Sequence, residues 1–100
     1  MNFDMSTEEK NSNFSEEIQK VFENVGKLLN GMLNDRSVPR NIKRKAQNAL
    51  NELKKDDETP GVIASNVLYL VDDLSQDPNL PFHARSTIWR IVSILETIKD

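Results

Sequence analysis

Candidate chemistry in this chain begins with one histidine, His83. A catalytic imidazole needs a nucleophile and an orienting group, and a metal-binding one needs further ligands. Neither is apparent around His83. The helical Glu-x-x-His pattern is absent, and no serine sits in a Gly-x-Ser-x-Gly elbow. The chain has no cysteine, so disulfides, zinc–thiolate centres and thiol nucleophiles are removed together. Asp72, Asp73 and Asp77 crowd the end of one expected helix, but their spacing is not that of a calcium loop. Asp77 also recurs as Asp35 in a matching context, which points to a turn or cap role. No catalytic, cofactor-binding or metal-binding residue is assigned, and an enzyme is not expected.

Two surface features remain. Arg36, Arg40, Lys43, Arg44 and Lys45 place five cations within ten residues. Such a cluster can hold phosphates, of RNA above all, although no Gly-rich loop or nucleic-acid motif accompanies it. Phe82 and Trp89 lie seven residues apart, on one side of an expected helix. If both are exposed they form an interface anchor, because aromatics dominate binding hot spots. The alternative is that at least one of them closes an end of the core.

The elements that must position these residues are helices. One hundred residues, 37% apolar and 29% charged, make a single globular domain. The net charge of -3 gives no global attraction to nucleic acid or acidic membranes. No apolar run reaches a membrane span, and the N-terminus lacks the pattern of a secretory signal, so a cytoplasmic protein is expected. Residues 1–13 read as a disordered polar tail in which only Phe3 and Met5 could dock, and residues 14–100 as the domain.

Within the domain, Ser15 caps a first helix whose inner stripe is Ile18, Val21, Phe22, Val25, Leu28, Leu29, Met32 and Leu33. Ser37 and Pro39 open a second, with Ile42, Ala46, Ala49, Leu50 and Leu53 inside. Thr59-Pro60 opens a third, carrying Val62, Ile63, Val67, Leu68, Leu70, Val71 and Leu74. Pro81 opens a fourth, with Ala84, Ile88, Ile91, Val92, Leu95 and Ile98 inside. The expected spans are near 15–34, 39–55, 60–75 and 81–99.

Displaced by 42 residues, the sequence matches itself. Asp35 falls on Asp77, Val38 on Leu80 and Pro39 on Pro81, and the inner stripes superpose. Two tandem helical hairpins follow, each too small to bury its face alone, so an all-α four-helix bundle with an internal duplication is expected. The copies differ on one outer face. The second helix carries Arg40, Arg44, Gln47 and Asn51 where the fourth carries Phe82, Ser86, Trp89 and Ser93.

The segments NDRSVPRNIKRKAQNAL and LYLVDDLSQDPNLPFHARSTIWRIVSILETI resemble the uncharacterised protein family UPF0147, a group of short archaeal proteins. The resemblance spans Phe14 to Ile98 and implies a helical bundle from an archaeal cytosol. It implies no reaction and no site residues. The residues themselves favour a non-enzymatic protein-interaction module or homodimeric adaptor using Phe82 and Trp89. The rival is an RNA- or ribosome-associated factor using the basic face of helix two.

Overall fold

Four α-helices organise the described residues, 14–100, of the computed structural model: α1 (Glu16–Leu33), α2 (Arg40–Leu53), α3 (Pro60–Ser75) and α4 (Phe82–Leu95). The expectations for the tail, residues 1–13 with Phe3 and Met5, lie outside the described residues.

The helix starts follow local chemistry. Ser15 Oγ accepts from the amide of Ile18 at 3.2 Å, and Glu16 and Glu17 suit the positive end of the helix dipole. Phe14, just outside α1, packs edge-on to Phe22 with ring centroids 6.0 Å apart. Thr59 caps α3 through the amide of Val62, and Pro60 takes the first helical position.

The other two starts differ from expectation. Ser37 does not cap α2; Pro39 is itself the N-cap, as Pro81 is for α4, and neither has a side-chain cap. The ring fixes φ near the helical value while ψ stays extended. The proline carbonyls then accept the first bonds, from Lys43 and Ala84, each at 3.0 Å. Ser37 is instead drawn into the turn before the helix, where Asp35 Oδ1 accepts from its amide at 2.9 Å and its hydroxyl at 2.7 Å. Asp77 Oδ1 accepts from the Asn79 amide at 2.9 Å in the same way. The carbonyls of Asp35 and Asp77 accept from Val38 and Leu80, both at 3.1 Å. The α1–α2 and α3–α4 turns thus share one hydrogen-bond pattern, and both seat an aliphatic residue, Val38 or Leu80, in the core.

The helices pack as a ring. α1 lies against α2 and α4, and α3 lies against α2 and α4. The fully buried side chains include Val25, Leu29, Ile42, Ile63, Val67, Val71, Leu74, Ile88, Ile91 and Leu95. Leu28, Leu70 and Val92, expected inside, are only half-buried. Each lies roughly 70–80° from the centre of its helix's buried stripe, counting 100° per residue, so each lines the edge of the core. α4 also stops short of its expected end. Thr97 and Ile98 turn back on Ile94 and Leu95 through tighter bonds of 3.3 and 3.0 Å. Beyond them, the Asp100 carboxylate accepts from Thr59 Oγ1 at 2.7 Å and the Gly61 amide at 2.8 Å. A Cβ on Gly61 would fall 2.5 Å from that carboxylate, so glycine permits the approach.

Candidate functional site

The outer face of the α3–α4 hairpin carries Val62, Tyr69, Phe82 and Trp89, the large apolar side chains left in water among the described residues. Phe82 is 88% exposed, Tyr69 76%, Trp89 68% and Val62 38%. Phe82 and Trp89 are seven residues apart on α4, opposite its buried stripe of Ala84, Ile88, Ile91 and Leu95. Seven residues are nearly two turns, so the two rings share a face about 10 Å apart along the axis. Neither closes the core. Val62 and Tyr69 repeat that spacing on α3, opposite Ile63, Ala64, Val67, Val71 and Leu74.

Val62, counted above in the inner stripe, therefore faces outward, and Tyr69 joins a site that first showed only Phe82 and Trp89. The signal lay in the 42-residue offset. Val62 and Tyr69 fall on Lys20 and Lys27, as Phe82 and Trp89 fall on Arg40 and Gln47. All four counterparts are exposed. The hairpins share an interior, but one covers its outside with charge and amide where the other sets three aromatics and a valine.

Contacts within the second hairpin give its register. Arg85 donates to the carbonyl of Ser75 at 3.2 Å, and Asp100 reaches Thr59. Antiparallel helices joined at those levels hold Tyr69 and Trp89 at about the same height.

The basic cluster is divided by the fold. Arg36, Arg40 and Arg44 are exposed and Lys43 half-buried. Lys45 leaves the group. It points toward α3, pairing with Asp77 at 3.0 Å and Asp73 at 3.1 Å. Hydrogen bonds to these carboxylates, Asp77 first, raise the affinity of Lys45 for its proton. Among the described residues, Arg36, Arg40, Lys43 and Arg44 enter no ion pair.

His83 also has partners that the sequence concealed. Its Nε2 lies 2.8 Å from Asp35 Oδ2 and 3.1 Å from Ser37 Oγ. Asp, His and Ser side by side invite comparison with a nucleophilic relay, but the geometry differs. A relay sets the carboxylate on one ring nitrogen and the hydroxyl on the other. Here both meet Nε2, and the Ser37 hydroxyl donates to Asp35, so the imidazole is not placed to take its proton. The cluster ties the first turn to α4. Its reciprocal is Asn41 Nδ2 donating to Asp77 at 3.3 Å, and exchanging the hairpins by 42 residues converts one contact into the other. At that offset Lys45 becomes Thr87 and Asp73 becomes Gly31. The α1–α4 cleft beside His83 thus lacks the ion pairs that fill its α2–α3 counterpart.

These turns carry a pH dependence. The hydrogen bond from His83, then those from the Ser37 hydroxyl and amide, hold the Asp35 carboxyl at about 2 against an ordinary 3.8. Asp77 is lowered by the Asn79 amide first and by Lys45 second. A carboxyl lowered in the folded state stabilises it above the ordinary range, and that contribution disappears as protons bind. The melting temperature is expected to fall as pH drops from about 4 to about 2. Asp35→Asn should melt lower than wild type near neutrality and show a shallower decline across that window. Equal slopes for both proteins would remove Asp35 from the account.

The described residues thus form a helical bundle with one apolar and one charged outer face, and they hold no His, Cys, Asp and Glu grouping suited to a metal ion. No described helix is long and apolar enough to cross a membrane. The chain belongs to the uncharacterised protein family UPF0147, whose sequence profile matches residues 6–98. A UPF0147 protein of Desulfurococcus amylolyticus is 46% identical over 90 residues, covering 84% of this chain and 99% of its own. One from Saccharolobus solfataricus is 52% identical over 73 residues, covering 73% and 82%. Two crystal structures are similar. A protein of unknown function, MMP1188, has a TM-score of 0.79 at 39% identity, over 88% of this chain and 98% of that one. A UPF0147 protein from Thermoplasma acidophilum has a TM-score of 0.74 at 32% identity, over 81% and 95%.

Proposed function

We propose that this chain is a non-enzymatic, cytoplasmic protein-interaction module, and that it binds through the outer face of α3 and α4. The observation that carries the reading is the exposure of Tyr69, Phe82 and Trp89 on one hairpin while the other shows Lys27, Arg40 and Gln47 at matching positions. Exposed aromatics cost solubility, and the shared bundle does not require them. Aromatic anchors at the centre of an interface supply much of a typical binding energy.

The first hairpin supplies the control. Phe82→Arg with Trp89→Gln installs residues that a hairpin of this fold already carries at those positions. The double variant should keep the helical circular dichroism and melting temperature of wild type, measured at a concentration where both are monomeric, and lose its binding partners in a pulldown. Retained partners would sink the reading. Unfolding would show instead that the rings support the core.

A second reading has its own observation. Arg36, Arg40, Lys43 and Arg44 point four cations outward without carboxylate partners among the described residues, as an RNA-backbone contact would need. Arg40→Glu with Arg44→Glu should then abolish RNA binding without affecting melting. Wild-type binding should weaken steeply with added salt.

A further inference from the structure

The apolar face has a shape that says what covers it. Phe82 and Trp89 flank a midpoint at Arg85 and Ser86. Ser86 is small and exposed, and its hydroxyl already donates to the His83 carbonyl at 3.1 Å. It can be covered without stranding a polar group. Arg85 is held aside by its bond to the Ser75 carbonyl. The outer surface of α4 therefore has a small neutral centre with a large ring on each side.

Such a surface complements itself when turned over. If a second α4 crosses the first antiparallel at Ser86, each Phe82 comes opposite Trp89 of the second copy, and the small centres allow close approach. Tyr69, at the height of Trp89, extends the contact onto α3. Aromatic side chains bury roughly 150–250 Å² each, so the three rings give on the order of 500 Å². With Val62, Ser86, Ser93 and the arginine stems, the face approaches the ~800 Å² per partner of a standard interface.

We infer that the occupant of this face is a second copy of the same chain, joined about a two-fold axis near Ser86, with α4 packed antiparallel on its counterpart. The inference rests on the proposed interaction role and names its partner. Charge selects two-fold over head-to-tail association. A head-to-tail stack would press the aromatic face onto Lys20, Lys27, Arg40 and Gln47 of the next molecule and bury cations without partners. A two-fold contact sets aromatic against aromatic, with the exposed Arg90 beside them and Arg85 turned to the Ser75 carbonyl.

Sedimentation equilibrium and oxidative cross-linking test this on the full chain. The wild-type mass should rise with concentration toward twice 11.4 kDa and level there. Tryptophan emission, from Trp89 alone, should shift to the blue over the same range. Phe82→Arg with Trp89→Gln should raise the dissociation constant roughly 30-fold or more, the loss expected for a central anchor. Since the chain has no cysteine, Ser86→Cys introduces one thiol beside the proposed axis. It should form a disulfide-linked dimer on mild oxidation, while Arg44→Cys, at the matching position of the first hairpin, should not. A wild-type chain that stays monomeric overturns the inference, as does a dimer unaffected by the double variant. Quenching of Trp89 in monomeric chain by a single-stranded oligonucleotide also overturns it. A monomer whose pulldown partner still depends on Phe82 and Trp89 refutes self-association but leaves the interaction role standing.

Discussion

Leu74→Ala is expected to lower stability by about 2–5 kcal/mol, the usual cost of truncating a buried leucine. Leu74 is fully buried at the last turn of α3, in the same core as Leu29, Ile42 and Ile88. Removing its side chain takes away apolar contact and leaves a cavity that four ring-packed helices can only partly close. A domain this size has about 5–15 kcal/mol in total, so the variant would lose much of its margin. With roughly 4–8 °C per kcal/mol for a small domain, its melting point should fall by about 10 °C or more. Leu70→Ala, one turn earlier, provides the contrast. Leu70 is half-buried at the edge of the stripe, so its loss should be clearly smaller. Both should be compared at one protein concentration, because association would add to apparent stability. A larger loss at Leu70 than at Leu74 would mean that α3 is rotated from the orientation described.

The contrast between these leucines also marks how far the sequence could be read. A helix buries a stripe a hundred degrees or so wide, and its centre is visible as apolar residues at steps of three and four. Leu29, Val67, Val71 and Ile88 are legible on that ground, as are the four helices and the turns at Pro39 and Pro81. The edges are not. Whether Leu28, Leu70, Val92 or Val62 is covered depends on how closely the neighbouring helix approaches. Lys45 shows the same limit in charge. It follows Arg44 directly, yet one residue is 100° of rotation, and α3 rather than the cation cluster supplies its partners. The His83–Asp35 contact joins residues 48 apart, and only the closing of one hairpin on the other brings them together. Phe82 and Trp89 could be singled out because their counterparts at offset 42 are polar. Tyr69 satisfies the same criterion against Lys27, a contrast carried by α1 and α3 rather than by α2 and α4.

Exchanging core volume between the hairpins is expected to give the second large effect. At offset 42 Ala46 corresponds to Ile88, and both are buried. The reciprocal contacts Asp35–His83 and Asp77–Asn41 relate the hairpins by an approximate two-fold exchange. If that exchange extends into the core, Ala46 and Ile88 sit at one height on α2 and α4, a small residue opposite a large one. Ile88→Ala alone should cost about 2–5 kcal/mol through the cavity it leaves. Ala46→Ile alone should cost about 1–3 kcal/mol, because a close-packed interior has no room for the added carbons. Combined, the substitutions restore the total side-chain volume with the branched chain entering from the other side. The double variant should therefore lose less than the two single losses added together, by about 0.5 kcal/mol or more, the scale of coupling between residues that share a cavity. Chemical denaturation of wild type, both single variants and the double variant measures this directly. Additive losses would place Ala46 and Ile88 in separate layers, and the two-fold relation inferred from the turns would then not extend into the core.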